Sequence, residues 1–202
     1  MTQEKMNENL KYYQKNAERL ALQYDSVAFE DVHKDWLTFI PKTGSVLDIG
    51  AGSGRDARYL ASKGLKVVAV EPVLDLINYA TSTSSQFDIS WLQDFLPNIE
   101  EVKDLGIKFN LILLSAVWMH LSSQEKQLSI QNLAPLLKPN GKLVLTLRHG
   151  QFTDGRIAFP VSEDEVVMLG KKNGLSMVAK TESTDDQLGR ADVVWQTIVL
   201  EN

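Results

Sequence analysis

The chain has 202 residues, of which 44% are hydrophobic and 23% are charged, and it contains no cysteine. This length and composition predict one globular domain with a substantial core and exclude long disordered tracts. The lack of cysteine excludes disulfides, thiol nucleophiles and thiolate metal sites. The chain starts without the apolar core of a signal peptide, and no apolar run approaches the ~20 residues of a membrane helix. We therefore expect a cytoplasmic protein without a membrane partner.

The charge balance argues against nucleic acid as a partner. There are 21 basic and 26 acidic residues, a net charge of −5, and the densest basic feature is the pair Lys171–Lys172. A nucleic-acid binder needs a positive surface that collects phosphates. We therefore expect a solvated, mildly acidic surface and no nucleic-acid partner.

Helical patterns occupy the start of the chain. Apolar residues at spacings of three and four predict one amphipathic helix. The members of this stripe are Met6, Leu10, Tyr13, Ala17, Leu20 and Tyr24. A second predicted helix carries Val32 and Trp36 and ends at Pro41, because proline cannot continue a helix.

Short apolar segments alternate with helical patterns through the rest of the chain. The predicted strands are Ser45–Ile49, Lys66–Val70, Ile89–Leu92, Asn110–Ser115, Lys142–Leu147, Leu175–Ala179 and Val193–Leu200. The alternation predicts a parallel sheet with helices on both faces. The last two strands follow each other without a helix, so we expect an antiparallel hairpin at one edge of the sheet. Two helices between strands are predicted to begin at capping boxes, Ser122–Glu125 and Ser162–Glu165.

The most informative segment runs from Val46 to Arg55, where a predicted strand enters a Gly-x-Gly-x-Gly turn that opens a helix. Glycines allow positive φ and a close approach of a ligand to the backbone, and the free N–H groups of the helix suit an anion. Asp48, two residues before Gly50, is expected to face the ligand crevice, where it would repel a pyrophosphate and attract an ammonium group. Glu71 ends the second strand, where a carboxylate can accept hydrogen bonds from a ribose diol. The expected ligand has a ribose, an anionic end and a cationic amine; the alternative is a structural turn.

This glycine turn, taken together with Glu71, resembles the cofactor site of class I S-adenosylmethionine-dependent methyltransferases. The resemblance covers roughly residues 40–200. It implies an α/β fold with a Rossmann-like, doubly wound, seven-stranded sheet whose last strand is antiparallel. It also implies a single domain over residues 1–202, with an N-terminal helical lid at 1–41 and the core at 42–202. The implied cofactor is S-adenosyl-L-methionine, which becomes S-adenosyl-L-homocysteine, and no metal is implied.

A narrower resemblance rests on Tyr12-Tyr13 with Asn16-Ala17 and on Gly54-Arg55-Asp56. These segments are similar to a bacterial group of small-molecule methyltransferases that includes relatives of quinone-biosynthesis and tellurite-resistance enzymes. The group implies a small-molecule acceptor and leading helices that cover the cofactor. Tyr13 lies on the apolar stripe and is expected in the core, whereas Tyr12 lies off the stripe and is expected to cover the cofactor.

The family resemblance also implies the roles of single residues. Asp48 would bind the methionine amine, Glu71 the ribose hydroxyls and Asp94 the adenine amino group. Asp94 has an alternative as a loop or cap residue. The full set of implied cofactor-binding residues is Tyr12, Asp48, Gly50, Ala51, Gly52, Glu71, Pro72, Asp94, Phe95 and Ser115.

Two further residues are candidates for the chemistry. Methyl transfer from a sulfonium needs little from the protein, because alignment of the reactants supplies much of the rate, and a base matters only for a protonated nucleophile of high pKa. His120 follows the fourth strand and is the candidate catalytic group, while Arg148 ends the fifth strand and is the candidate for binding a substrate carboxylate or phosphate. The alternatives are a packed histidine and a structural ion pair. No spacing of histidines or carboxylates indicates a metal site.

Two other functions stay open at the level of sequence. One is a nicotinamide-dependent oxidoreductase, against which Asp48 and the glycine spacing argue. The other is a non-catalytic protein that binds S-adenosylmethionine. The acceptor atom is not specified, and both a monomer and a homodimer are compatible with the sequence.

Overall fold

The computed structural model describes residues 2–190 and 192–202, with side chains from residue 8 onward, so residues 1 and 191 and the side chain of Met6 lie outside the description. The helices are α1 (Thr2–Lys15), α2 (Ala17–Asp25), α3 (Phe29–His33), α4 (Arg55–Ser62), α5 (Leu74–Thr83), α6 (Glu100–Asp104), α7 (Ser123–Leu133) and α8 (Glu163–Lys172). The strands are β1 (Ser45–Ile49), β2 (Lys66–Val70), β3 (Ile89–Leu92), β4 (Phe109–Leu114), β5 (Leu137–His149), β6 (Ser176–Lys180), β7 (Thr184–Asp185) and β8 (Val194–Glu201).

All strands belong to one sheet, in the order β3-β2-β1-β4-β5-β8-β6, and the two-residue β7 pairs with β8. The strands from β3 to β5 in this order are parallel neighbours. β8 is antiparallel to both β5 and β6. The predicted doubly wound α/β sheet and the antiparallel pairing of the last long strands are confirmed.

Both faces of the sheet are buried, as near-continuous apolar strands require. Along β5, Leu143, Leu145 and Leu147 pack into the core on one face, and Val144 packs into the core on the other face. The second core also contains Trp36, which comes from the segment before β1. The helices of the described chain are all too short or too polar to cross a bilayer.

The strand order reverses at β1, which has β2 on one side and β4 on the other. At such a switch point the connections leave in opposite directions, so a crevice opens at the carboxyl ends of the two strands. The glycine turn follows β1 directly, and Ser115 follows β4. The topology therefore places both segments at the same edge of the sheet.

The N-terminal helices differ from the prediction. The expected single first helix is divided at Asn16, whose backbone has φ −115° and ψ 13° and whose Nδ2 donates to the Tyr12 carbonyl at 2.8 Å. This side-chain bond competes with the helical pattern. The second predicted helix is shorter than expected, because α3 ends at His33 and a 3₁₀ turn follows at Leu37–Phe39. The indole of Trp36 donates to Nδ1 of His33 at 3.0 Å, across the break.

The two predicted capping boxes have different outcomes. Ser122 and Glu125 form the complete box at the start of α7. Ser162 accepts from the Glu165 N–H at the start of α8, but the Glu165 carboxylate pairs with the buried Lys126 at 2.9 Å. The second box is therefore only half formed, because a buried ammonium group competes for its carboxylate.

Candidate functional site

A cavity of about 270 Å³ lies at the carboxyl ends of β1, β2, β4 and β5, between the loops that follow these strands and the N-terminal helices. We divide its wall into two parts. The loop half contains Gly50, Ala51, Gly52, Asp56, Glu71, Pro72, Asp94, Phe95 and Ser115. The arginine half contains Asn9, Tyr13, His120, Arg148, Phe152, Arg156, Arg190 and Trp195.

The glycine loop turns sharply at the end of β1. Gly50, Gly52 and Gly54 have φ values of 73°, 55° and 81°, in the region that favours glycine. The N–H groups of Gly50 and Ala51 both donate to the Val70 carbonyl, at 2.8 and 2.9 Å. These bonds hold the loop against the end of β2.

Glu71 closes the loop from the end of β2. Its Oε2 accepts from the Gly52 N–H at 2.9 Å, and its Oε1 accepts from the Val73 N–H at 3.0 Å. Burial raises the pKa of Glu71 to about 7, against the lowering effect of these two hydrogen bonds. Each carboxylate oxygen has a second lone pair, so Glu71 can accept from two more donors.

Tyr24 covers the glycine loop from the side of α2. A Cβ built on Gly52 would lie 3.5 Å from the Tyr24 ring, which also lines the cavity. Burial raises the pKa of Tyr24 well above its usual range, so the phenol is neutral. The sequence placed Tyr24 only in the apolar stripe, and no motif marked it as a site residue.

The expectation that the Asp48 carboxylate faces the crevice is wrong. Asp48 is 1% exposed and lies on the same side of β1 as Val46, because side chains two apart in a strand share a face. Its carboxylate oxygens are enclosed by the protein and do not form part of the cavity wall. Within the described chain neither of its oxygens makes a hydrogen bond of ordinary geometry. Burial and the nearby Asp56 carboxylate raise the pKa of Asp48 well above its usual range.

Asp56, at the start of α4, is a wall residue that the motif analysis did not assign. Arg55 Nε donates to its Oδ1 at 2.6 Å, and His33 Nε2 lies 2.9 Å from its Oδ2. Because His33 Nδ1 accepts from the Trp36 indole, the proton of a neutral ring sits on Nε2 and points at Asp56. Burial would raise the pKa of Asp56, but Arg55 and His33 outweigh it and lower the pKa.

The expected adenine residues lie together at one end of the loop half. Asp94 is buried, and its two oxygens accept from the N–H groups of Phe95 at 2.8 Å and Val102 at 3.2 Å. It thus caps the start of α6 and also contributes to the cavity wall. Phe95 is 42% exposed at the rim, and Pro72 and Ser115 line the interior.

His120 is held by two residues of α1. Asn9 donates from Nδ2 to the Ile157 carbonyl at 2.9 Å and accepts from the Ile157 N–H at 2.8 Å, which fixes the orientation of its amide. The same Nδ2 lies 3.2 Å from His120 Nδ1, so Nδ1 accepts and the ring proton sits on Nε2. Nε2 lies 2.9 Å from the Tyr13 hydroxyl and donates to it.

These contacts determine the charge of the imidazole and whether it can accept a proton from a substrate. Burial, followed by the Arg156 charge, lowers the pKa of His120 to about 4, so the ring is neutral at neutral pH. Both ring nitrogens are engaged by the protein. The arrangement fits a residue that positions α1 better than a base that receives a substrate proton.

The structure reverses the expected placement of the two adjacent tyrosines. Tyr13, and not Tyr12, lies on the cavity wall. The Tyr12 hydroxyl donates to Asp154 at 3.0 Å, whereas the Tyr13 hydroxyl accepts from Arg156 at 3.1 Å in addition to His120. The reason is that α1 crosses the cavity, so part of its apolar stripe faces the site instead of the core.

Arg148 reaches the cavity from the end of β5. Its Nη1 donates to the Gly150 carbonyl and its Nη2 to the Gln151 carbonyl at 3.3 Å. The guanidinium lies 4.2 Å from the centre of the Phe152 ring. The structural ion pair considered for this residue is not formed within the described chain. The described residues also contain no group of histidines and carboxylates that could hold a metal ion.

Solved structures of methyltransferases share this fold. The chain is similar to magnesium protoporphyrin IX methyltransferase (ChlM) from Synechocystis PCC 6803 with bound SAH, at TM-score 0.68 and 17% identity, covering 95% of this chain and 87% of that one. It is also similar to the 1,6-didemethyltoxoflavin-N1-methyltransferase of Burkholderia thailandensis, at TM-score 0.75 and 14% identity, covering 100% of this chain and 90% of that one. At these identities the likeness shows the fold alone.

Sequence comparison gives the family. An uncharacterized methyltransferase of Alkaliphilus oremlandii (strain OhILAs) is 28% identical over 110 residues, which are 52% of this chain and 45% of that protein. The aligned segment thus spans less than half of the curated relative. The family model described as a methyltransferase domain matches residues 13–181, which is most of the chain. The chain therefore belongs to the methyltransferase domain family.

Proposed function

We propose that the protein transfers a methyl group from S-adenosyl-L-methionine to a small-molecule acceptor. The observation that carries the proposal is the bond between the Glu71 carboxylate and the Gly52 N–H in a chain of this family. A glycine turn after the first strand, tied to an acidic residue at the end of the second, is the place where open α/β sheets bind a ribose and its anionic extension.

The loop half of the cavity fits this cofactor. Glu71 can accept from both ribose hydroxyls, and Asp94, Phe95 and Pro72 would surround the adenine. The carboxylates of Asp56 and Glu71 would favour a ligand that carries a sulfonium and an ammonium group. The bound cofactor supplies an activated methyl group, so the protein need not generate an electrophile.

The protein then accelerates methyl transfer mainly by positioning the two reactants. Tyr24 and Tyr13 come from the N-terminal helices and would exclude water from the cavity. Holding the reactants in line removes the entropy cost of their encounter. His120 fixes α1 through Asn9 and Tyr13, and we assign it a positioning role.

The competing functions have less support. A nicotinamide dinucleotide would need space for a pyrophosphate beside Glu71 and Asp56, where negative charge opposes it. The proposal includes a cytoplasmic location and no nucleic-acid partner, which the net charge of −5 favours. It holds for a monomer and for a homodimer.

Titration calorimetry tests the cofactor. We expect S-adenosylhomocysteine to bind and NAD not to bind, and binding of NAD alone would overturn the proposal. Turnover of S-adenosylmethionine with a metabolite library then separates an enzyme from a non-catalytic binder. A protein that binds the cofactor but methylates nothing would support the binder.

A further inference from the structure

Three arginines from separate segments meet in the arginine half of the cavity. Arg156 pairs with Asp154 at 2.7 Å, and Arg190 pairs with Asp186 at 2.5 Å. These two guanidinium charges are thus balanced by carboxylates of the same loops. The third arginine, Arg148, is not balanced in this way.

Arg148 is 4% exposed, and no carboxylate of the described chain lies within ion-pair distance of it. Its Nη atoms donate to the carbonyls of Gly150 and Gln151, but its buried Nε has no hydrogen-bond partner in the described chain. A buried charged donor without an acceptor is unfavourable, because it has lost its hydration and gained no hydrogen bond in return. Burial lowers the pKa of Arg148, and the positive charges of Arg190 and Arg156 lower it further. Within the described chain, two of the three guanidinium groups in this half are paired with a carboxylate and the third is not.

The strand pairing shows that Arg148 belongs to a polar surface. Arg148 lies opposite Trp195 in the β5–β8 ladder, and Thr146 lies opposite Thr197. All four residues line the cavity. Val144, which precedes Thr146 by two residues and lies on the same face of β5, belongs to the apolar core. The face therefore changes from apolar to polar where the strands reach the cavity.

Phe152 holds the guanidinium groups without neutralising them. The guanidinium of Arg148 lies 4.2 Å from the centre of its ring and that of Arg156 lies 4.1 Å from it. The His120 ring is parallel to it, at 5.5 Å and an interplanar angle of 3°. Cation–π contacts fix a guanidinium while leaving its charge available to a ligand. The site is therefore preorganised for an anion.

We propose that the methyl acceptor is an anion whose carboxylate or phosphate group binds Arg148. This inference rests on the proposed function, because it takes the loop half as the place of the cofactor. The acidic loop half would then hold the cationic cofactor, and the arginine half would hold the anionic acceptor. Because α1 crosses the cavity with Asn9 and Tyr13 on its wall, the acceptor is a small molecule and not a polymer.

Titration calorimetry with three matched probes tests this assignment on the protein with and without S-adenosylhomocysteine. The probes are benzoate, phenyl phosphate and the uncharged benzamide, and the two anions distinguish a carboxylate site from a phosphate site. We expect at least one anion to bind about tenfold or more tightly than benzamide, as loss of a charge-assisted bond predicts. Equal binding of benzamide, or no binding of either anion, would overturn the proposal.

Variants assign the effect to Arg148. Arg148→Gln should weaken the preferred anion about tenfold or more, and Arg148→Lys should weaken it less because it keeps the charge but loses the planar fork. Arg19→Gln, which removes an exposed arginine outside the cavity, should leave it unchanged. Anion binding that is the same in both Arg148 variants as in the wild type contradicts the assignment. If Arg148→Gln does not fold, Arg148→Lys decides alone.

The same titrations separate this inference from the proposed function. S-adenosylhomocysteine should bind Arg148→Gln as it binds the wild type. If the wild type does not bind S-adenosylhomocysteine, the proposed function fails, and the titrations without it still decide whether an anion site exists.

Discussion

The hydroxyl group of Tyr13 lies 2.9 Å from Nε2 of His120, and this contact joins α1 to the turn that follows β4. Arg156 donates to the same hydroxyl, so three distant segments meet at one oxygen atom. α1 thus completes the wall of the arginine half from across the strand ends. Stability and access to the site should therefore depend on this contact.

Removing the Tyr13 hydroxyl tests that dependence. Tyr13→Phe leaves the His120 Nε2–H and an Arg156 N–H without their acceptor, and we expect it to lower the free energy of unfolding by about 1–3 kcal/mol. Tyr12→Phe removes the exposed contacts of its hydroxyl with Asp154 and Arg19 and should change the free energy of unfolding by less than about 0.5 kcal/mol. Urea unfolding of both variants measures the difference. Equal effects would show that the Tyr13 hydroxyl contributes no more to the free energy of unfolding than the Tyr12 hydroxyl does.

Hydrogen exchange tests whether the N-terminal helices act as a lid. We expect amide exchange in residues 10–24 to slow when S-adenosylhomocysteine binds, because Tyr13 and Tyr24 line the cavity and a bound ligand would suppress local opening of the two helices that carry them. Exchange in α8 should not change. Full protection of residues 10–24 without the ligand would identify them as ordinary core helices.

The Glu71 carboxylate should make cofactor affinity depend on pH. Its pKa of about 7 means that acidification below neutrality protonates it and removes acceptor capacity for the ribose hydroxyls. The Kd of S-adenosylhomocysteine should therefore rise as the pH falls below about 7, approaching tenfold per pH unit. Glu71→Gln should bind weakly with no such dependence, and Glu71→Ala should lose roughly 2–4 kcal/mol of binding. A folded Glu71→Ala protein with unchanged affinity would refute the assignment.

Glu71 and His120 should affect stability with opposite signs. The folded pKa of Glu71 is raised above 4.5, so its contribution is present below pH 4.5 and is lost as the pH rises through about 7. The folded pKa of His120 is lowered from 6.5, so its contribution is present above pH 6.5 and is lost as the pH falls toward about 4. In the wild type these two slopes partly cancel.

Variants separate the two titrations. We compare the single variant Glu71→Gln with the double variant that also carries His120→Gln. Between pH 4 and 6.5 the free energy of unfolding of the single variant should rise by up to roughly 3 kcal/mol more than that of the double variant. Denaturant unfolding across this range measures both slopes. Identical slopes in the single and double variants would show that His120 does not have the lowered pKa.

A side chain at Gly52 should abolish cofactor binding. Gly52 has φ 55°, where a β-branched residue is strained, and its Cβ would enter the space under the Tyr24 ring at 3.5 Å. Gly106 is a matched control, because its φ is 62° and a Cβ there meets nothing within 4 Å. Gly52→Val should lose S-adenosylhomocysteine binding in calorimetry, whereas Gly106→Val should keep it. Normal binding by a folded Gly52→Val protein would show that the loop is a structural turn and does not contact the cofactor.

The sequence by itself determined the order of strands and helices and the chemistry of the glycine loop. The short apolar strands, the positive φ of Gly50 and the position of Glu71 after β2 follow from residues close together in the chain. Local hydrogen bonding and backbone preference decide these features, so a pattern of nearby residues is enough to predict them.

Tertiary structure decided which side chains share the cavity. Asp48 is buried away from the cavity wall. Tyr13 replaces Tyr12 on the wall because packing between distant segments sets the path of α1 over the strand ends. Arg190 pairs with Asp186, whereas Arg148 has no ion-pair partner among the described residues, and both outcomes depend on how the loops after β5 and before β8 fold together. Whether a charged side chain is paired depends on its neighbours within a few ångströms. Sequence spacing carries no information about those neighbours when the segments lie far apart in the chain.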